Sequence, residues 1–212
     1  MLLDRQRFFT MIRGAPFPGR LSAAQVSGTE LVLDEFDARA PDGDLRHLAY
    51  LLATAFHETA ATMQPVRETL AASDEAAIRI LDRAYAAGRL GQVRTPYWRR
   101  DADGKSWLGR GLVQLTHRRN YEAMSAVTGI DLVERPERAM KPQVSAAILV
   151  EGMLRGSFTG RRLSQYFDAQ RADWEGARAI VNGNDRAALI AGYGRTFYAA
   201  LTASLIEQPA VG

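Results

Sequence analysis

Along most of this chain the apolar residues return every three or four positions, the period of a helix with one buried face. Residues 2–12 follow it and stop at the cluster Gly14, Pro16, Pro18 and Gly19. Ser22 is placed to cap a second helix, in which the apolar positions Val26, Leu31, Leu33 and Phe36 are interrupted by Gly28. After the loop Ala40–Asp44, the residues Leu45, Leu48, Leu52, Ala55, Phe56 and Thr59 share one stripe. Leu51 and Ala53 widen it until little polar face is left, which predicts a buried helix that Pro65 ends. Ser73–Ala87 reads as another helix, with Asp74 and Glu75 favourably placed in its first turn.

The period is lost over 91–111, a stretch rich in Gly, Arg and aromatic residues. There Ser106–Leu108 and Leu112–Thr116 flank Gly109-Arg110-Gly111 and predict a short hairpin. Helices resume at Asn120–Thr128, Pro142–Leu154, Leu163–Phe167, Trp174–Val181 and Arg186–Leu205, and the last few residues are expected to fray. The predicted fold class is mainly α, with one small β element near the middle.

Composition removes whole classes of chemistry. The 212 residues suffice for one substantial core, and 47% hydrophobic against 24% charged residues is a globular balance rather than a disordered one. There is no cysteine, hence no disulfide framework, thiolate nucleophile, iron–sulfur cluster or zinc ribbon, and three histidines (His47, His57, His117) offer little for a His-rich metal site. The start of the chain carries Asp4, Arg5 and Arg7 and lacks the apolar run of a signal peptide. The expectation is a single domain over residues 1–212, with no separate second module and no stable membrane association. The net charge of +3 is unevenly spread: Arg79 to Arg119 holds ten basic residues and three acidic ones, +7 in all, which leaves −4 for the rest. Such a strip is either a solvated face or a surface turned toward an anionic polymer. No nucleic-acid-binding signature accompanies it, and no nucleic acid partner is expected.

Glu58 is the first candidate for chemistry. It sits at the end of the buried helix beside Phe56 and His57, where desolvation would favour a protonated carboxyl suited to general acid catalysis. The zinc-protease pattern H-E-x-x-H fails because position 61 is Ala. Glu68 follows ten residues later. On a continuous helix it would lie about 15 Å away and face elsewhere, but Pro65 lets the chain fold back and bring the two carboxyls toward each other. The run Gly109-Arg110-Gly111-Leu112-Val113-Gln114-Leu115-Thr116 is no phosphate loop. Its glycines allow close backbone approach, and on a strand Gln114 and Thr116 would share a polar face able to bind sugar hydroxyls or a water.

Taken together, Phe56-His57-Glu58-Thr59, then Glu68, then Gly109-Arg110-Gly111 through Gln114-Leu115-Thr116 to Asn120-Tyr121, then Ile180-Val181-Asn182-Gly183 resemble the glycoside hydrolase family 19 pattern, over roughly residues 45–200. That family contains chitinases and phage or prophage endolysins. The resemblance implies a lysozyme-like, two-lobed helical fold with a cleft between the lobes, Glu58 as general acid and Glu68 as general base. It places Thr116 where the chitinases have a Ser that helps hold the nucleophilic water. His57, Gln114, Asn120, Tyr121, Asn182 and Arg195 become substrate-binding positions, and no metal or other cofactor is needed. The sequence departs from the pattern at Ala60-Ala61-Thr62, where glycines often follow, at Thr69–Ser73, and at His117, where an aromatic is usual.

With the basic strip, the resemblance leads to the expectation of an endolysin that cuts the β-1,4 bonds of peptidoglycan by inversion. It would act as a monomer and stay cytoplasmic until a holin-type membrane lesion gives access to the periplasm and cell wall. The alternatives are a chitinase acting on chitin oligomers and a non-catalytic glycan-binding phage protein of the same fold.

Overall fold

The computed structural model describes residues 2–91 and 93–206; the expectation of a fraying C-terminal end falls on 207–212, outside them. Among the described residues there are seven α-helices: α1 Arg5–Gly14, α2 Ala23–Arg39, α3 Leu45–Glu58, α4 Asp74–Ala86, α5 Arg118–Thr128, α6 Pro142–Arg155 and α7 Ala187–Ala203. Four begin where a side chain caps the free N–H groups. Asp4 accepts from the Arg7 amide, Asp44 from Arg46 and Ser73 from Ala76, while Ser22 and Gln25 form a reciprocal capping box.

The stripe that leaves α3 almost no polar face makes it the centre of the molecule: every residue from Leu48 to Phe56 is buried. Its largest partner is α7. Around this pair α2 lies on α3 and α6, α1 on α7 and α5 on α6, forming one large lobe. A second, separate core of Ala77, Leu81, Trp98 and Leu108 joins α4 to the loop 90–108 and forms the small lobe. The fold is mainly α-helical and two-lobed.

The sequence expectation for the end of α3 needs correction. The helix stops at Glu58, well before Pro65. Thr59 is the reason: its hydroxyl donates to the Ala55 carbonyl and accepts the Met63 amide, and Ala60, Ala61 and Met63 all have positive φ. Pro65 then leads into extended chain. The β element stands near the middle, as expected, but with other strands. β1 Val66–Arg67 pairs antiparallel with β2 Arg110–Gly111, in the register Val66↔Gly111 and Arg67↔Arg110. Gly109-Arg110-Gly111 is therefore not the turn of a local hairpin. Arg110 also bridges Leu115, so Leu112–Gln114 makes the turn, and Ser106–Leu108 lies outside it. Leu163–Gln165 and Gly176–Ile180 are single 3-10 turns rather than α-helices, with a further 3-10 turn at Pro136–Met140.

The small lobe is fastened to β2 by Arg110. Its side chain is buried and donates to Asp74, to the Tyr121 hydroxyl and to the Ser106 carbonyl, while Arg67 holds the other oxygen of Asp74. Burial pushes the Asp74 carboxyl up, but the hydrogen bonds and charges of Arg110 and Arg67 together outweigh it and hold the pKa below its ordinary value. A depressed carboxyl pKa adds stability that is present above the unfolded value, about 3.9, and is lost as pH falls through the folded one. Urea unfolding from about pH 7 down to about pH 3 should show the stability gap between the native chain and Asp74→Asn narrowing with acidification.

Gly28 shows tertiary packing overruling helix propensity. A Cβ built on it would lie 1.7 Å from the carbonyl oxygen of Met63, so α2 can carry no side chain where it crosses the segment after α3. Gly28→Ala should gain about 1 kcal/mol of helix propensity, yet lower the thermal midpoint, because overpacking against backbone costs about 1–3 kcal/mol or more. An unchanged or raised midpoint would contradict this packing.

Candidate active site

Four of the candidate residues, Gln114, Thr116, Asn120 and Asn182, line one cleft of about 580 Å³. One wall is the turn after β2 and the start of α5, with Gln114, Thr116, His117, Arg119 and Asn120. The other holds Thr159, Arg161 and Asn182–Asn184. The second wall is tied together by Thr159, whose hydroxyl donates to the carbonyls of Ala179 and Ile180.

Neither carboxylate lines this cleft itself; each is anchored by residues next to one wall. Glu58, the last residue of α3, has a side chain 15% exposed, and its Oε1 accepts a 2.7 Å hydrogen bond from the guanidinium of Arg178, itself only 4% exposed. Arg178 also donates to the carbonyl of Asp185, so the carboxylate and the turn carrying Asn182 share one anchor. The sequence suggested a carboxyl among apolar neighbours; the structure gives it an ionic partner. Beside it His57 is half-buried. Burial lowers its pKa, the charge of Glu58 works against that, and Arg178 adds to it.

Glu68 follows β1 directly, at the start of a 3-10 turn, Glu68–Leu70. Its two oxygens are held separately: Oε1 accepts from the Tyr97 hydroxyl at 2.7 Å and Oε2 from the Gly109 amide at 2.8 Å. Its own amide donates to the Gly109 carbonyl. Gly109 must lack a side chain here, since a Cβ would stand 2.8 Å from the Gln114 Oε1 and 3.3 Å from the Glu68 Oε2. Burial, then the charge of Glu68 and the hydrogen bond to it, raise the Tyr97 pKa, so the phenol keeps its proton and donates. The Tyr97 ring packs on His117 with centroids 4.2 Å apart. Burial and the neighbouring Arg119 lower the His117 pKa against a smaller upward pull from Glu68.

Gln114, Thr116, Asn120 and Asn182 all line the cleft. The expected strand face shared by Gln114 and Thr116 is not formed. Gln114 sits in the turn with φ of 52°, and its amide group donates to the carbonyls of Val66 and Gly111, bracing the wall. Two placements are corrected. Tyr121 is fully buried and takes up Arg110 and the Leu108 carbonyl, so it supports the wall from behind and offers no surface to a substrate. Arg195 is exposed on α7 in a hollow with Met11 and Ala15 that shares no residue with the cleft. The arginine that reaches Glu58 is Arg178. Its sequence signal was a lone charge in the apolar run Ala177–Val181, four residues before Asn182. Tyr97 gave no such signal, because only the fold brings 97 to 68. Among the described residues no group of three or more His, Cys, Asp or Glu side chains gathers as a metal site would.

No protein-family model and no curated protein matches the sequence. Among solved structures, chitinase C from Streptomyces griseus HUT6037 is similar over 97% of this chain and 79% of that one, with a TM-score of 0.59 and 18% identity. The chain has the fold of that chitinase. The similarity extends over both lobes and agrees with the lysozyme-like, two-lobed helical fold that the motifs implied.

A largely buried pair is costly to break from one side, because the remaining charge is left without a partner. Arg178→Gln should destabilise the chain by about 3 kcal/mol. Adding Glu58→Gln should recover part of that loss, which a double-mutant cycle by urea unfolding measures. Strict additivity would show that the two side chains do not interact.

Proposed function

We propose that the chain is an inverting glycoside hydrolase that cuts β-1,4 bonds of an N-acetylhexosamine polymer, with chitin-type strands as the first substrate class. The observation that carries this reading is a pair of carboxylates, each anchored by its own donors beside one polar cleft: Glu58 by Arg178, next to Ala179 of one wall, and Glu68 by the Gly109 amide and by Tyr97, whose ring packs on His117 of the other. The shared fold with a chitinase supports it and favours chitin over other backbones. Glu58 donates a proton to the glycosidic oxygen as the bond from C1 to that oxygen breaks. Glu68, oriented by Tyr97 and the Gly109 amide, takes a proton from a water that Thr116 helps to hold, and the water oxygen bonds to C1 from the opposite face. Inversion needs room for that water between carboxylate and sugar. Asn120 and Asn182 supply amides to the sugar substituents from opposite walls.

A second reading, cleavage of peptidoglycan glycan strands, is favoured by charge. The cleft is lined by Arg119 and Arg161 and by no carboxylate among the described residues. The two readings separate in parallel assays on chitohexaose and purified sacculi.

Glu58→Gln should lower turnover by about 10²-fold or more with folding preserved, and Glu68→Gln should do the same, on the usual scale for loss of a general acid or base. Proton NMR of the first-formed product should show the anomeric configuration opposite to that of the bond cleaved. Retention, or a folded Glu58→Gln chain with most of its activity, would sink the mechanism.

A further inference from the structure

Beside the main cleft lies a second hollow of about 600 Å³, lined by Val93, Arg94, Thr95, Tyr97, His117 and Arg119. It shares His117 and Arg119 with the cleft, so the two are neighbours, and Tyr97 in its lining is the residue hydrogen-bonded to Glu68. Half of the ten cations of the surrounding segment are paired with acids, and the two that line this hollow are not among them. Across Arg79–Arg119, Arg99, Arg100, Lys105, Arg110 and Arg118 are engaged by Asp82, Glu75, Glu134, Asp74 and Glu122 respectively. The guanidiniums of Arg94 and Arg119 have no carboxylate partner among the described residues, and no Asp or Glu lines the hollow. Glu68, the nearest acid described, has its Oε1 filled by Tyr97 and its Oε2 by the Gly109 amide. Both arginines are exposed, and their planar donor sets match a carboxylate.

We propose that this hollow is a subsite for a carboxylate carried on a substituent of the glycan, gripped by Arg94 and Arg119 over a floor of Tyr97 and His117. The inference rests on the glycoside-hydrolase reading and refines its substrate: an N-acetylhexosamine strand bearing acidic side groups. Such a carboxylate has two sources, an acidic ether on the sugar itself or a peptide attached to it. The donors are the same for both. Because the hollow adjoins Glu68, occupancy would also fix the strand near the water-activating side of the cleft.

The test uses the Glu58→Gln chain, whose turnover is expected to fall about 10²-fold or more, and isothermal titration calorimetry at low salt. Four ligands of equal length are compared: chitohexaose, a muramic-acid-containing strand stripped of peptide, the same strand with its carboxylates esterified, and the strand with peptides retained. The carboxylated strands should bind about tenfold more tightly than the esterified one, as expected for a charge-assisted hydrogen-bonded contact. The advantage should shrink as salt screens it. Adding Arg94→Gln and Arg119→Gln should bring the ratio to within about twofold, and Arg119→Lys should restore only part of it. Tight binding of the peptide-free strand assigns the carboxylate to the sugar ether; tight binding only of the peptide-bearing strand assigns it to the peptide. If neither carboxylated strand binds more tightly than the esterified one, the proposal is overturned without any variant, and so it is by an advantage that survives loss of both arginines. Turnover of chitohexaose by the native chain is scored separately, so failure of the hydrolase reading is distinct from failure of the subsite.

Discussion

The buried guanidinium of Arg110 is the constraint on which the cleft depends. A charge with 1% side-chain exposure must be surrounded by acceptors, and this one collects Asp74, the Tyr121 hydroxyl and the Ser106 carbonyl. Asp74 belongs to α4 and so to the small lobe, whereas Tyr121 belongs to α5 in the large one. One side chain thereby fixes how the two lobes meet. Because Arg110 is also a residue of β2, its burial sets the position of Gly109, and Gly109 holds Glu68 through two backbone hydrogen bonds. The Nε of Arg110 has no partner, which marks how far the packing is driven by the other contacts.

Backbone strain gathers around the same groups. Ala60, Ala61 and Met63 follow Glu58 with positive φ, Thr69 and Leu70 follow Glu68, and Gln114 and His117 stand in the cleft wall. Left-handed backbone costs a residue with a Cβ about 1–2 kcal/mol, so a chain under no other demand would carry glycine at these positions. Here the turns are held by side-chain hydrogen bonds and buried anchors: Thr59 to Ala55 and Met63, Gln25 to the Ala61 carbonyl, and Met63 packed beneath Gly28. The large lobe's core supports sharp exits from α3 and β1, and those exits release each carboxylate from regular structure at a defined point.

The distribution of charge follows a similar division. Much of the basic strip between Arg79 and Arg119 serves the small lobe internally, pairing with acids on α4, in the loop 101–103 and beyond α5. Counted along the sequence it resembles one cationic face. Folded, five of its ten cations pair with acids, while Arg94 and Arg119 open on the cleft or its side hollow.

By itself the sequence determined the helical class, the burial of α3 and the cap at Ser22, because these depend on spacing and residue type within a few turns. The motif order also determined which of Gln114, Thr116, Asn120 and Asn182 would meet in one cleft. What it could not carry were relations between distant segments. The pairing of Val66–Arg67 with Arg110–Gly111, the choice of Arg178 over Arg195 as the partner of Glu58, the burial of Tyr121 and the hydrogen bond from Tyr97 to Glu68 were decided only by the tertiary structure. The physical reason is common to all four. Each satisfies a buried or crowded polar group with a partner from elsewhere in the chain, and local periodicity records which residues turn inward but not which of them meet there.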